Sequence, residues 1–149
     1  MNATTLQPLT KWRCDVCGEL IEDVNKGYVT WHGPSESGAP YGFKVIHQGK
    51  CDDNKANLSA ALRDFVGVDG LAKLLAILSI GPLKTAQGQS PRVVGDLDEL
   101  VDFMRRVQTP YYEEARQRFS DEDVMQDFCD SNEVAPYLQS RLKGIAAGG

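Results

Sequence analysis

Three cysteines and one histidine in the first third of the chain have types and spacings that suit metal binding. Cys14 and Cys17 form a C-x2-C pair just ahead of Gly18, and His47 and Cys51 form an H-x3-C pair further along. A glycine after the second cysteine suits a tight knuckle in which backbone N–H groups point at the sulfur atoms. Three thiolates and one imidazole are a set typical of structural zinc. We therefore predict one structural Zn²⁺ ion bound by Cys14, Cys17, His47 and Cys51.

Other uses of these cysteines fit the sequence less well. A disulfide between Cys14 and Cys17 would close a small, strained ring, and disulfides are rare in reducing compartments. A redox C-x-x-C pair normally opens a helix in a thioredoxin-like βαβ setting, and the flanking sequence predicts no such setting. A coincidental spacing of the two pairs stays open as an alternative.

The sequence gives little support for catalysis at this metal. Four protein ligands leave no position for a reacting water. The zinc deaminase signature, H-x-E followed by P-C-x-x-C, is not matched, because the cysteine pair comes first and Gln48 follows His47. His32, next to Trp31, is the other histidine of the chain, and no paired base accompanies it. We therefore expect a protein that is not an enzyme, with hydrolase or transferase as the least supported class.

Two strands are predicted between the ligand pairs. GYVTW (27–31) and YGFKVIH (41–47) are rich in aromatic and β-branched residues. The segment between them, GPSESGAP (33–40), is typical of a loop. This pattern predicts an antiparallel hairpin with a long tip, which would bring the two ligand pairs together.

A helix is predicted after the last ligand. It would begin at a capping residue, Asp52, Asp53 or Asn54, and run to Val66 with an apolar face. The face would consist of Leu58, Ala61, Leu62 and Phe65. Cys51 would then lie at a helix N-terminus, where the helix dipole stabilises a thiolate.

The remainder of the chain predicts four to five short helices. Their expected starts are Asp69, Asp96, Pro110 and Ser120, with a last helix within PYLQSRLKGIAA (136–147). Asp96 followed by Glu99 resembles a capping box. We predict an α+β fold in which a zinc-bound β-hairpin-plus-helix module (residues 1–67) precedes a bundle of short α-helices (68–149). The two parts can share a core.

The order of knuckle, hairpin and ligand-bearing helix over residues 11–66 resembles the treble-clef class of zinc fingers. The whole layout is similar to small bacterial or phage proteins that have such a finger and a helical tail with a PYYEEAR-like segment (110–116). The resemblance implies a zinc cofactor. It implies no particular activity, since fingers of this class serve many roles.

Charge and hydropathy limit the classes of partner. The net charge is −5, and residues 68–149 carry thirteen acidic and nine basic side chains. This balance argues against a protein that coats nucleic acid by bulk charge. No secretory signal is recognised, and the longest apolar stretch, LAKLLAILSI, contains a lysine and is too short to span a bilayer. We expect a cytoplasmic protein without a membrane partner.

The function predicted from these features is that of an adaptor or regulator that binds another protein. The alternative is a nucleic-acid-binding regulator that uses the finger, and a homo-oligomer stays open. Aromatic and basic side chains near the finger and on the helical half supply the candidate partner-binding residues: Trp31, His32, Lys44, Lys50, Arg105, Arg106, Tyr111 and Tyr112. The fourth cysteine, Cys129, follows Phe128 in a short predicted helix and is expected to be buried.

Overall fold

The computed structural model describes residues 6–33, 38–52, 55–85 and 87–148. The predicted α+β class is confirmed. The strands are β1 (Trp12–Arg13), β2 (Leu20–Ile21), β3 (Gly27–His32), β4 (Tyr41–His47) and β5 (Leu58–Ala61). The α-helices are α1 (Val68–Leu78), α2 (Gly81–Thr85), α3 (Leu97–Gln108), α4 (Tyr112–Arg116), α5 (Glu122–Phe128) and α6 (Gln139–Ala146). Among the described residues, no helix has both the length and the apolar composition needed to cross a bilayer.

The predicted hairpin is confirmed. β3 and β4 are antiparallel, and Gly27 pairs with His47 at the base of the hairpin. Residues 34–37 of the predicted tip lie outside the described residues. A separate two-stranded sheet, β1 with β2, brackets the first cysteine pair. The base of the large hairpin and the small sheet therefore hold the two ligand pairs.

The helix predicted from residues 52–54 to Val66 is wrong. The described part of this segment enters β5, which pairs with β3 in a three-stranded sheet of order β4-β3-β5. A 3-10 helix, Leu62–Phe65, follows directly and buries Leu62 and Phe65. These two residues produced the helical spacing in the sequence, but pairing with β3 satisfies the preceding backbone instead. The predicted caps Asp53 and Asn54 lie outside the described residues.

An aromatic stack joins the sheet to the helical half. The ring of Phe43 lies between those of Trp31, 5.8 Å away, and Phe103 of α3, 4.5 Å away. The same buried cluster contains Trp12 of β1 and Leu74 of α1, so it includes side chains from both sides of residue 67. A second, smaller cluster is built around α4 and α6 from Tyr112, Ala115, Val124, Leu142 and Ile145. The division at residue 67 stays a prediction, but α1 and α3 pack on the first part.

The cap predicted for α3 is present, with a different use for its glutamate. The carboxylate of Asp96 accepts a hydrogen bond from the backbone N–H of Glu99 at 3.0 Å. The Glu99 carboxylate accepts from the backbone N–H groups of Gly42 and Phe43 at 2.6 and 3.2 Å. Glu99 therefore ties α3 to the free edge of β4.

Other predictions need correction at the ends of helices. Helix α2, Gly81–Thr85, was not predicted. Helix α4 begins at Tyr112 rather than at Pro110, because Tyr111 has a left-handed backbone with φ of 68°. Cys129 is exposed, not buried as predicted, because it lies just after the last turn of α5.

Close packing of α1 against the 3-10 helix makes Gly70→Ala a sharp test of this junction. A Cβ atom at Gly70 would lie 2.3 Å from the carbonyl carbon of Phe65, which is backbone and cannot rotate away. Alanine favours a helix by about 1 kcal/mol over glycine, but we expect the clash to prevail and to lower the free energy of unfolding by about 1–3 kcal/mol. Urea denaturation measures the change. Gly95→Ala is the control, since nothing lies within 4 Å of its Cβ position, and equal stability of both variants would contradict the packing.

Candidate metal centre

The first ligand pair sits in a tight knuckle between β1 and β2. The backbone N–H of Gly18 donates to the carbonyl of Cys14 at 3.0 Å, and Gly18 has φ of 77°, which favours glycine. The N–H of Val16 donates to Cys14 Sγ at 3.4 Å. The predicted knuckle, with backbone hydrogen bonds to sulfur, is therefore confirmed.

The second pair lies where β4 ends in a turn. His47 is the last residue of β4, and the N–H of Cys51 donates to its carbonyl at 3.4 Å. The turn reverses direction at Gly49, whose φ is 74°. The imidazole Nε2 lies 3.1 Å from the carbonyl oxygen of Leu20 in β2. This hydrogen bond fixes the ring and directs Nδ1 towards the sulfur atoms, as the second partner of a metal-bound histidine usually does.

The four predicted ligands come together. One donor atom from each of Cys14, Cys17, His47 and Cys51 lies within 4.8 Å of all the others. His47 Nδ1 is 3.4 Å from Cys17 Sγ and 3.7 Å from Cys51 Sγ. Donor atoms around a tetrahedral zinc ion lie roughly 3.5–3.8 Å apart, given Zn–S and Zn–N bonds of about 2.3 and 2.0 Å. The donor set and its spacing therefore fit a metal ion, with zinc as the best match.

The thiols differ in their electrostatic surroundings. Burial opposes ionisation of Cys14, but hydrogen bonds from the backbone of Cys17 and Val16 and from His47 together outweigh it and lower the pKa of Cys14 to about 6. Burial and the neighbouring sulfur atoms of Cys14 and Cys17 raise the pKa of Cys51 to about 11. Several crowded sulfur atoms cannot all carry charge without a cation between them. A divalent ion held by these residues would supply that charge and would allow all three sulfur atoms to be thiolates.

An exposed ion pair links the two loops that carry the ligands. Glu19 follows the first knuckle, Lys50 lies in the second turn, and their side chains meet at 3.3 Å. Both side chains are exposed, so the pair adds little stability by itself. It shows that Lys50, predicted as a partner-binding residue, connects the two ligand loops.

A buried ion network anchors the first knuckle to the helical half. The guanidinium of Arg106, in α3, donates to Asp15 at 2.7 Å and to Glu113, in α4, at 2.7 and 3.0 Å. Asp15 lies between the two knuckle cysteines. Arg106 is 3 % exposed and Glu113 is 4 % exposed. Despite the opposing effect of burial, these carboxylates raise the pKa of Arg106, which stays charged.

The sequence showed no sign of this network. Arg106 and Asp15 are far apart along the chain, and a charged residue in an amphipathic helix usually faces water. The arginine also donates to the carbonyl of Arg13, and the Trp12 indole donates to the carbonyl of Arg106. These contacts make Asp15, Arg106 and Glu113 supports of the metal knuckle.

The candidate partner-binding residues do not form one surface. Trp31, Arg106 and Tyr112 are buried, which corrects their prediction as surface contacts. Half-buried residues of the set are engaged with neighbours: the ring of His32 stacks on Tyr41, and Arg105 lies 3.9 Å from the ring centre of Tyr137. Lys44 and Tyr111 are also half-buried. Partner contact by the residues that are not buried stays a prediction.

The treble-clef resemblance holds for the knuckle and the hairpin but not for the helix. Cys51 is followed by described residues that lead into β5 and not by a helix bearing the last ligand. The Cys3His group is therefore the part of the resemblance that the structure retains. No protein-family model, curated protein or solved structure matches this chain.

Proposed function

We propose that this is a non-enzymatic adaptor or regulator that binds another protein through α1 and whose fold is stabilised by one structural zinc ion. Four protein donors complete a tetrahedral shell and leave no position for a substrate or water, which supports a structural ion rather than a catalytic one. The first knuckle leads into β2, and the turn that carries the second ligand pair follows β4. Through Asp15 the first knuckle also contacts the helices. An ion at this point would hold the module in the shape on which α1 packs.

The observation that carries the proposal is an uncovered apolar face on α1, which we call the α1 stripe: Val68, Leu71, Ala72, Leu75 and Ala76. These positions follow the 3–4 spacing of one helix face. Val68 is 90 % exposed, Leu71 40 % and Leu75 48 %. The opposite face of the helix buries Gly70 and Leu74 against the core. Contiguous exposed apolar surface of this kind marks protein contact sites.

The dimensions and charge of the α1 stripe favour a different protein as its occupant. α1 has eleven residues, a length of roughly 16 Å, and one face of such a helix buries on the order of half of the ~800 Å² per partner found in stable interfaces. Two copies joined by this face alone would therefore not form a stable dimer. The stripe contains no charged residue, so nucleic acid does not fit it either. A short apolar helix of another protein matches the length and chemistry of the stripe, and a contact of this size suits the transient binding of a regulator rather than a permanent assembly.

Site-specific photocrosslinking tests this proposal. A photoreactive residue at position 71 should capture a partner that the same residue at Lys84 of α2 does not. With that partner purified, Leu71→Gln/Leu75→Gln should weaken binding roughly tenfold or more, because apolar anchors dominate such contacts. Binding should change little between about 0.1 and 0.5 M salt, since no ion pairs form the contact.

Met125→Gln is the matched control, because Met125 is 59 % exposed but lies on α5. It should bind the partner as the unaltered protein does. Three results would overturn the proposal: no position-71 adduct, undiminished binding by the double variant, or a dimer in sedimentation velocity that the double variant abolishes. A steep loss of this binding with salt would contradict an apolar contact, and binding of a nucleic acid that weakens steeply with salt would favour the nucleic-acid alternative.

A further inference from the structure

A cleft of about 430 Å³ lies between the N-terminal segment, the first knuckle and α4. Leu6, Gln7, Thr10 and Lys11 line it from the N-terminal segment, and Arg13 and Leu20 line it beside the knuckle. The wall on the side of α4 consists of Glu113, Glu114 and Gln117. Its volume is at the small end of the range for small-molecule sites. The cleft is separate from both the metal ligands and the α1 stripe.

Two buried polar atoms of opposite character belong to the residues that line this cleft. Arg13 donates through Nη1 to the carbonyl of Gly18 at 2.7 Å, but its buried Nε has no hydrogen-bond partner among the described residues. The buried Oε2 of Glu114 likewise has no partner in the described part of the chain. Native proteins rarely leave buried donors and acceptors without a partner. These two atoms are themselves closed to solvent, but both side chains line the one cleft, and neither charge takes part in an ion pair within the described chain.

The charges of Arg13 and Glu114 are not neutralised by each other or by Glu113. In the described chain Arg13 and Glu114 form no ion pair with each other, so a gap separates the two charges. Both carboxylate oxygens of Glu113 already accept hydrogen bonds, from Arg106 and from the backbone N–H of Arg13. Burial, together with the nearby charge of Glu113, raises the pKa of Glu114, so an added cation would relieve this carboxylate.

We propose that the cleft binds a free amino acid with an apolar side chain, its carboxylate at Arg13 and its ammonium group at Glu114. A ligand with only one of these charges leaves the other protein group unpaired. A phosphate-bearing ligand is disfavoured, since two carboxylates line the same wall. Leu6 and Leu20 supply apolar surface for the side chain, and Lys11 adds a second cation for the ligand carboxylate.

Nuclear magnetic resonance of the ¹⁵N-labelled full chain, titrated with L-leucine, tests the proposal. Leucine should shift the amide signals of Leu20, Glu114 and Gln117 in a saturable manner. Two analogues separate the charges: 4-methylpentanoate lacks the ammonium group, and leucinamide lacks the carboxylate. Each should bind roughly ten- to hundredfold more weakly, as expected for the loss of one charge-assisted hydrogen bond.

Variants assign each charge to a residue. Glu114→Gln should remove the preference for leucine over 4-methylpentanoate, and Arg13→Lys should reduce the preference over leucinamide. Glu133→Gln, at an exposed position outside the cleft, should leave both preferences unchanged. The spectra also report whether each variant is folded. The proposal would be overturned by absent shifts at about 10 mM leucine, by analogues that bind as well as leucine, or by an unaltered preference in folded Glu114→Gln.

Discussion

Cys51→Ser is expected to release the metal ion and to unfold the part of the protein around the two knuckles. Cys51 is buried, and its sulfur lies against His47 Nδ1. A serine oxygen is a poor substitute for a thiolate in a zinc site, since zinc in such sets prefers sulfur. If zinc is present at about a thousand times its dissociation constant, its loss removes about 4 kcal/mol of stability, or roughly 10 °C or more in Tm.

Metal analysis of protein purified without added zinc, together with thermal melting by circular dichroism, measures this effect. Unaltered protein should contain one equivalent of zinc, and a chelator should reproduce the lowered Tm of Cys51→Ser. Cys129→Ser is the matched control, because Cys129 is an exposed free cysteine outside the four-residue group. Unaltered protein that contains no metal and melts at the same temperature with and without chelator would disprove the zinc site.

Arg106→Met should cause the largest loss of stability among substitutions outside the metal ligands. The change leaves the Glu113 carboxylate, which is 4 % exposed, without its charged partner, and it frees Asp15 from the helical half. Removal of one partner from a buried ion pair typically costs about 3–5 kcal/mol, because the remaining charge stays in a region of low polarity. Urea denaturation at neutral pH measures the change in the free energy of unfolding.

A second substitution distinguishes the unpaired charge from lost packing. Arg106→Met/Glu113→Met removes both charges, so it should be more stable than Arg106→Met alone. Arg141→Met, at an exposed position of α6, should change stability by less than about 0.5 kcal/mol. A double variant less stable than the single one would mean that Arg106 contributes through packing and not through its charge.

Local sequence patterns predicted the parts of this protein that local chemistry determines. The convergence of the C-x2-C and H-x3-C pairs, the glycine of the first knuckle and the aromatic and β-branched strands β3 and β4 depend on close neighbours, and the structure shows all of them. The Asp96 cap of α3 belongs to the same class. Metal ligands are especially predictable, because a tetrahedral shell requires a particular set of donors at short spacings.

The predictions that failed depend on contacts distant in sequence. Residues 58–61 have no helix preference strong enough to prevent pairing with β3, so this segment forms a strand although its apolar spacing predicted a helix. Arg106 resembles other charged positions of α3, and only the fold brings it to Asp15 and Glu113. The exposure of Leu71 and Leu75 on α1 could not be predicted either, because spacing alone does not show which face of a helix a neighbour covers.

The placement of Asp15 has a consequence for the chain without its metal. Its backbone N–H donates to the carbonyl of Val45, and its carboxylate accepts the N–H of Val45, so this one residue covers both polar groups of Val45 on the free edge of β4. Asp15 keeps this position because Cys14 and Cys17 fix the knuckle on both sides of it and because Arg106 binds its carboxylate. Loosening the knuckle would bare that edge, and an uncovered strand edge is a template for pairing with another chain. We therefore expect that a metal ion at this site would protect the solubility of the protein as well as its shape, and that its removal would promote aggregation as well as unfolding.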